Sequence, residues 1–303
     1  MIFQRRFWSA WPLAALWVCP LISRADEELE QCRKLAELGN SIAQYNLGVR
    51  YNKGLGVLQN EQEAYKWFRR AAEQGIARAE YNLGICYSFG YGVDKDEAKA
   101  VEWYRKAAYQ GYADAQYNLG VCYSDGVGVK NNQAEAAKWY REAANQGHAG
   151  AQCNLGNCYE KGEGVDKNQE EAIKWYRKSA DQGYAVAQYN LGVRYEDGRG
   201  VYKNLLEAFT WYSKSAEQGE AQAQHNLGSC YGNGVGVKRN LIMAYKWTLL
   251  AALNKNATEI NRKAAEENIT MARKHLTPEQ RAEGQRLATE WQAAFDKKKK
   301  ESE

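Results

Sequence analysis

Ala115, Leu119 and Tyr123 stand four residues apart, the spacing of one stripe along a helix. The stripe returns every 36 residues without a slip, in copies that begin at Ala43, Ala79, Ala115, Ala151, Ala187 and Ala223. Eight residues after each opening Ala comes a Tyr: Tyr51, Tyr87, Tyr123, Tyr159, Tyr195 and Tyr231. A wider apolar face follows, read most easily as Ala136, Trp139, Tyr140, Ala143 and Ala144. Its Trp recurs as Trp67, Trp103, Trp139, Trp175, Trp211 and Trp247. Each unit therefore predicts two helices. Between them lies a Gly-x-Gly-Val loop such as Gly126/Gly128, where glycine tolerates the left-handed exit from a helix. Gly147 and its counterparts close the second helix. No stretch alternates at period two, so no strand is predicted.

One such pair cannot bury its Trp alone, and stacking on neighbours buries it. Losing one fully packed Trp would cost about 3–5 kcal/mol. Gly120 sits inside a first helix, where glycine costs about 1 kcal/mol against alanine. Close approach of the two helices is the expected compensation. The fixed period predicts one stacked array rather than a single globular core, and arrays of this kind work as elongated binding surfaces.

The segments YNLG-x-CY, G-x-G-V and A-x-x-KWYRKAA-x-QG, clearest in residues 81–111 and 117–147, resemble the Sel-one-like repeat (SLR) family, relatives of the tetratricopeptide repeats. The resemblance covers residues 43–252 without a gap. It implies an all-α, right-handed superhelical solenoid of helix-turn-helix units. It also implies an adaptor that works in protein quality control, signalling or host–microbe contact. Some relatives are cysteine-rich, with one cysteine on each helix of a repeat bridging within it, and β-lactam binding or hydrolysis is associated with such relatives. This chain lacks that cysteine arrangement.

By analogy with tetratricopeptide repeats, the first helices line a concave face. The stripe at i, i+4, i+8 from each Tyr column residue then faces the groove. It comprises Tyr45/Val49/Lys53, Tyr81/Ile85/Phe89, Tyr117/Val121/Asp125, Cys153/Asn157/Lys161, Tyr189/Val193/Asp197 and His225/Ser229/Asn233. Aromatic and aliphatic residues dominate the first three copies, and polar ones enter from the fourth. Plain packing is the alternative role for the Tyr column. An Asn recurs at 46, 82, 118, 154, 190 and 226. Its amide either holds a peptide backbone in the groove or bonds a neighbouring helix. Six units at about 10 Å each give a groove about 60 Å long. An extended segment of roughly 18 residues would fill it.

The ends read differently. Residues 1–25 resemble a secretory signal, with Arg5 and Arg6 before an apolar run from Phe7 to Ile22 and small residues at Ser23 and Ala25. An uncleaved membrane anchor is the alternative. Cleavage would leave an exported chain, in the periplasm or secreted, with no stable membrane span. Residues 26–42 are expected to cap the N-terminal end, six repeats to fill 43–258, helices in 259–296 to cap the C-terminal end, and 297–303 to form a charged tail. Thr277-Pro278-Glu279-Gln280 has the pattern of a capping box, opening a helix to about Phe295.

Formal net charge is +4, and loss of Arg5, Arg6 and Arg24 with the leader would bring it near neutrality. Nucleic acid, which wants a concentrated basic surface, is not indicated. Cys86, Cys122, Cys158 and Cys230 hold the same place in different repeats, too far apart for a bridge, and Cys153 and Cys158 point apart on one helix. With Cys32 they are read as small buried apolar residues rather than disulfide partners. No nucleotide loop, zinc-protease His pair or Gly-x-Ser-x-Gly elbow is present. His148, His225 and His275 are scattered, and a Cys–His pairing in space stays open. The fourth copy, with Cys153, Asn154 and Asn157, departs most from the repeat. The reading is a monomeric, non-enzymatic exported adaptor that binds a protein or extended peptide and needs no cofactor or metal. A hydrolase acting on β-lactams and a structural envelope protein are the alternatives.

Overall fold

The computed structural model describes residues 24–302. Among these, every regular element is a helix. α1 (Arg24–Glu37) stands first. Six pairs follow: α2 (Ser41–Lys53) and α3 (Glu61–Glu73), α4 (Ala77–Phe89) and α5 (Glu97–Tyr109), α6 (Ala113–Asp125) and α7 (Gln133–Asn145), α8 (Ala149–Lys161) and α9 (Gln169–Asp181), α10 (Ala185–Asp197) and α11 (Leu205–Ala216), α12 (Ala221–Asn233) and α13 (Leu241–Leu253). α14 (Glu259–His275) and α15 (Pro278–Ser302) end the chain. Each second helix packs against its own first helix and against the next, so the array is a helical solenoid.

Local chemistry sets the loop between the two helices of each pair. Asn60, Asp96, Asn132, Asn168, Asn204 and Asn240 cap the second helices, each side chain accepting from a backbone N–H of the first turn. The first helices stop on left-handed glycines such as Gly126, at φ 73°. Gly128, at φ 67°, also lies against the backbone of Glu97 in the preceding repeat, so a side chain there has neither the conformation nor the room. Inside the first helix, a methyl group on Gly120 would lie 2.7 Å from the Tyr140 ring. The close helix approach expected from the sequence is present.

The core is layered by repeat. Ala115, Leu119, Ala143 and Ala144 are fully or nearly fully buried, and their counterparts repeat the pattern. Trp67, Trp139, Trp211 and Trp247 are buried as expected. Trp103 and Trp175 are only half-buried, with the ammonium groups of Lys106 and Lys178 lying 3.7 and 4.1 Å over their rings. A polar ladder runs between repeats. Gln116 donates to Ala108 O at 3.2 Å and accepts from Gln146 at 2.7 Å. Gln44, Gln152, Gln188 and Gln224 repeat the arrangement, with Asn254 as the last donor. In the second repeat Glu80 takes the place of this Gln.

At the N-terminal end, α1 packs on α2 as a second helix would, but it stops at Glu37, and residues 41–42 already belong to α2. At the other end, Thr277 N–H donates to Gln280 at 3.0 Å and Gln280 N–H to Thr277 at 3.3 Å, the capping box read from the sequence. Trp291 of α15 meets Trp247 edge-on at 5.6 Å and stacks on Phe295 at 4.9 Å. α15 continues past Phe295 to Ser302, so the lysine run of the charged tail is helical. The proposed leader lies almost wholly outside the described residues. Among those described, no helix is long and apolar enough to cross a membrane.

Candidate partner-binding groove

The first helices carry the columns singled out above. Tyr45, Tyr81, Tyr117 and Tyr189 are half-buried. Each leans on a ring of the paired second helix: Phe68, Tyr104, Tyr140 and Tyr212, with centroids 6.0, 5.9, 6.1 and 6.0 Å away. These tyrosines therefore pack, and they keep part of their surface open. Val49, Ile85, Val121, Asn157 and Val193 are half-buried, while Phe89, Asp125, Lys161 and Asp197 are exposed. Phe89 stacks on exposed Tyr91 at 5.5 Å. His225 is half-buried, and burial lowers its pKa. Its Nδ1 has no hydrogen-bond partner. It meets no second-helix ring, because Thr248 occupies the place held by Tyr212 one repeat earlier.

Cys153 does not face the groove. It is 1% exposed, lies beneath Asn190 (Nδ2 to Sγ, 3.7 Å), and burial pushes its thiol up to about 12. The asparagine column also resolves. Asn118 lies by the phenols of Tyr81 and Tyr104, Asn154 by those of Tyr117 and Tyr140, and Asn226 by that of Tyr212, and each holds the phenol's pKa down against burial. Asn190 instead donates to Asn157 at 3.4 Å. At these four positions the amide joins neighbouring helices. The cause is the second-helix Tyr, whose hydroxyl reaches between consecutive first helices. There it meets a further polar group: Ser88 at 3.0 Å from Tyr104, Ser124 beside Tyr140, Glu160 at 2.7 Å from Tyr176, and Glu196 at 2.5 Å from Tyr212.

The sequence reading missed a second aromatic column. Tyr112, His148 and Tyr184 open successive first helices at the N-cap. Tyr112 meets Tyr81 edge-on at 5.2 Å, and His148 stacks on Tyr117 at 4.5 Å. The phenol of Tyr184 is pushed up by burial and then by Tyr117 and Cys153 nearby. Each member stands five residues before a Tyr-column position, a recurrence the sequence offers without the contact that stacking makes of it.

The chemistry of these groups is quiet. A nucleophilic thiol needs a lowered pKa. Burial instead raises Cys86, Cys153 and Cys230 to about 12, and Cys122 and Cys158 to about 11. All six described cysteines are free thiols. The His148 imidazole accepts the Ala151 N–H at Nδ1 (3.0 Å) and faces Asp114 with Nε2 (3.5 Å), so it caps a helix rather than pairing with a cysteine. Among the described residues, no group of three or more His, Cys, Asp or Glu is placed to hold a metal ion.

Residues 41–76, 77–112, 113–148, 149–184, 185–220 and 221–256 each match the sequence profile of the Sel1 repeat. Among solved structures, one similar chain is c5321 of uropathogenic Escherichia coli, described as a protective antigen displaying an SLR fold. It is 34% identical, with a TM-score of 0.71 over 88% of this chain. This chain spans 66% of the length of c5321. A Sel1 repeat protein of Oxalobacter formigenes is 35% identical, with a TM-score of 0.68 over 77% of this chain and 96% of its own. No curated protein matches the chain.

Proposed function

Because the chain belongs to the Sel1 repeat family, we propose that it is an exported, non-enzymatic adaptor that holds a protein or extended peptide along the face of its first helices. Sel1 repeats form a scaffold, and this array places no activated nucleophile on that face. The observation that carries the reading is the double aromatic column. Tyr45, Tyr81, Tyr117 and Tyr189 are braced from behind by second-helix rings, and Tyr112 and His148 brace two of them from the side. Aromatic side chains held this way present contact area with little rotamer entropy left to lose, which suits recognition.

Export rests on the leader-like residues 1–25. Expression in a bacterial host with this leader intact, followed by N-terminal sequencing of the exported fraction, is expected to show a chain that begins at Asp26. The groove is tested by affinity capture from the parent cell envelope and medium, comparing the native chain with Tyr81→Ala/Tyr117→Ala/Tyr189→Ala. The variant is expected to keep its helical circular dichroism and lose a partner that the native chain retains. Equal capture by both would sink the groove assignment.

A further inference from the structure

We infer that the groove carries an arginine-binding subsite at Glu196, between the fifth and sixth repeats, so that the bound partner presents an arginine side chain there. The inference rests on the groove reading above and names the chemistry of its ligand. The array supplies the template one repeat earlier. Glu160 of α8 accepts the Tyr176 hydroxyl on Oε2 at 2.7 Å and holds the Arg194 guanidinium, Nη1 to Oε1, at 2.8 Å. Arg194 comes from α10, is 9% exposed, and ties one first helix to the next.

Thirty-six residues on, the carboxylate and the phenol recur but the cation does not. Glu196 of α10 accepts the Tyr212 hydroxyl on Oε2 at 2.5 Å. The place of Arg194 is taken by Cys230, a short side chain that carries no charge. Burial, and after it the charge of Glu196, raises the Cys230 thiol. Among the described residues Glu196 makes no ion pair, and it is half-buried. Gly232 follows on α12, where an added methyl group would touch only Ala244, at 3.6 Å. The next first helix therefore offers no side chain at the position equivalent to Glu196.

The charges that act on the Tyr189 ring are mostly acidic. The Tyr189 phenol is raised by burial and then by Glu220, with Glu196 and Asp197 adding to it, against Arg194. Arg194 is engaged by Glu160, and Asp197 is paired with Arg199 at 3.3 Å. Neither Glu196 nor Glu220 makes an ion pair among the described residues, and the charge of both weighs on the Tyr189 phenol. A half-buried carboxylate that has lost its cation suits a planar guanidinium, which forks onto carboxylate oxygens. In the second and third repeats the position of Glu196 holds Ser88 and Ser124. The site is thus confined to one end of the groove and gives the ligand a direction.

The test selects from a random pool of 12-residue peptides on the purified native chain. Selected peptides are expected to share one arginine, and replacing it with citrulline should weaken binding about tenfold. Glu196→Gln, which keeps a partner for Tyr212, should cause the same loss and make the two peptides equal. Arg194→Cys, which frees Glu160 in the same way, should let the chain select peptides with a second arginine. Peptides that bind without arginine, or whose arginine ignores Glu196→Gln, would overturn the subsite. The groove reading would survive that result if Tyr81→Ala/Tyr117→Ala still abolished binding. A native chain that selects no peptide would overturn both.

Discussion

Replacing Glu80 with glutamine is expected to stabilise the protein near neutral pH. Glu80 occupies the position at which five other repeats place a buried Gln, and it is itself 4% exposed. Each of those glutamines donates to the carbonyl eight residues earlier, at 3.1–3.4 Å, and accepts from the end of its own second helix. Glu80 accepts from Gln110 at 2.7 Å, but as a carboxylate it has no hydrogen to offer Ala72 O. Glutamine restores that donor, a net gain of about 1 kcal/mol for one neutral hydrogen bond. It also removes a buried negative charge. Burial raises the Glu80 pKa above the ordinary carboxylate value, against the opposing pull of Gln110 and Lys106. As pH rises through that raised pKa, the native state holds a proton that the unfolded chain has released. Native stability therefore falls with rising pH. Below the unfolded value of about 4.3, Glu80 is protonated in both states and can itself donate. The gap between native protein and Glu80→Gln should thus be about 1 kcal/mol or more at pH 7.5 and small at pH 4. Urea unfolding followed by circular dichroism at both values reads it. Hydrogen exchange across α3 and α4 localises it, since arrays need not unfold as one unit. A variant less stable than the native chain at pH 7.5, or a gap independent of pH, would refute the reasoning.

Two further outcomes follow from the packing. Gly120→Ala puts a methyl group 2.7 Å from the Tyr140 ring and is expected to cost about 1–3 kcal/mol as overpacking. An unchanged melting temperature would show that the helices can part without cost. Burial raises all six described thiols, but Cys86, Cys122, Cys153, Cys158 and Cys230 are buried whereas Cys32 is half-buried. Ellman's reagent at pH 8 should modify Cys32 first and the other five only on unfolding, with fast reaction of Cys153 in the native chain counting against the packing described.

What could be read from the chain and what could not divide along the repeat. Periodicity determines the helix pairs, their glycine exits and the alanine–leucine core, and local pattern determines the capping box at Thr277, because each depends on residues within one turn or one repeat. Contacts across repeats depend on how far a side chain reaches after stacking, which the period does not state. The sequence left the Asn column open between a ligand and a neighbouring helix, and only the stack shows that the second-helix tyrosine arrives there first. Cys153 has the register of a groove residue, yet a side chain that short sinks beneath Asn190. Tyr112 and His148 look like loop residues in sequence, and stacking sets them against Tyr81 and Tyr117. Glu160 and Glu196 are identical in register, and what separates them is the next helix. There Arg194 can span the gap between neighbouring first helices, and Cys230 is too short to do so.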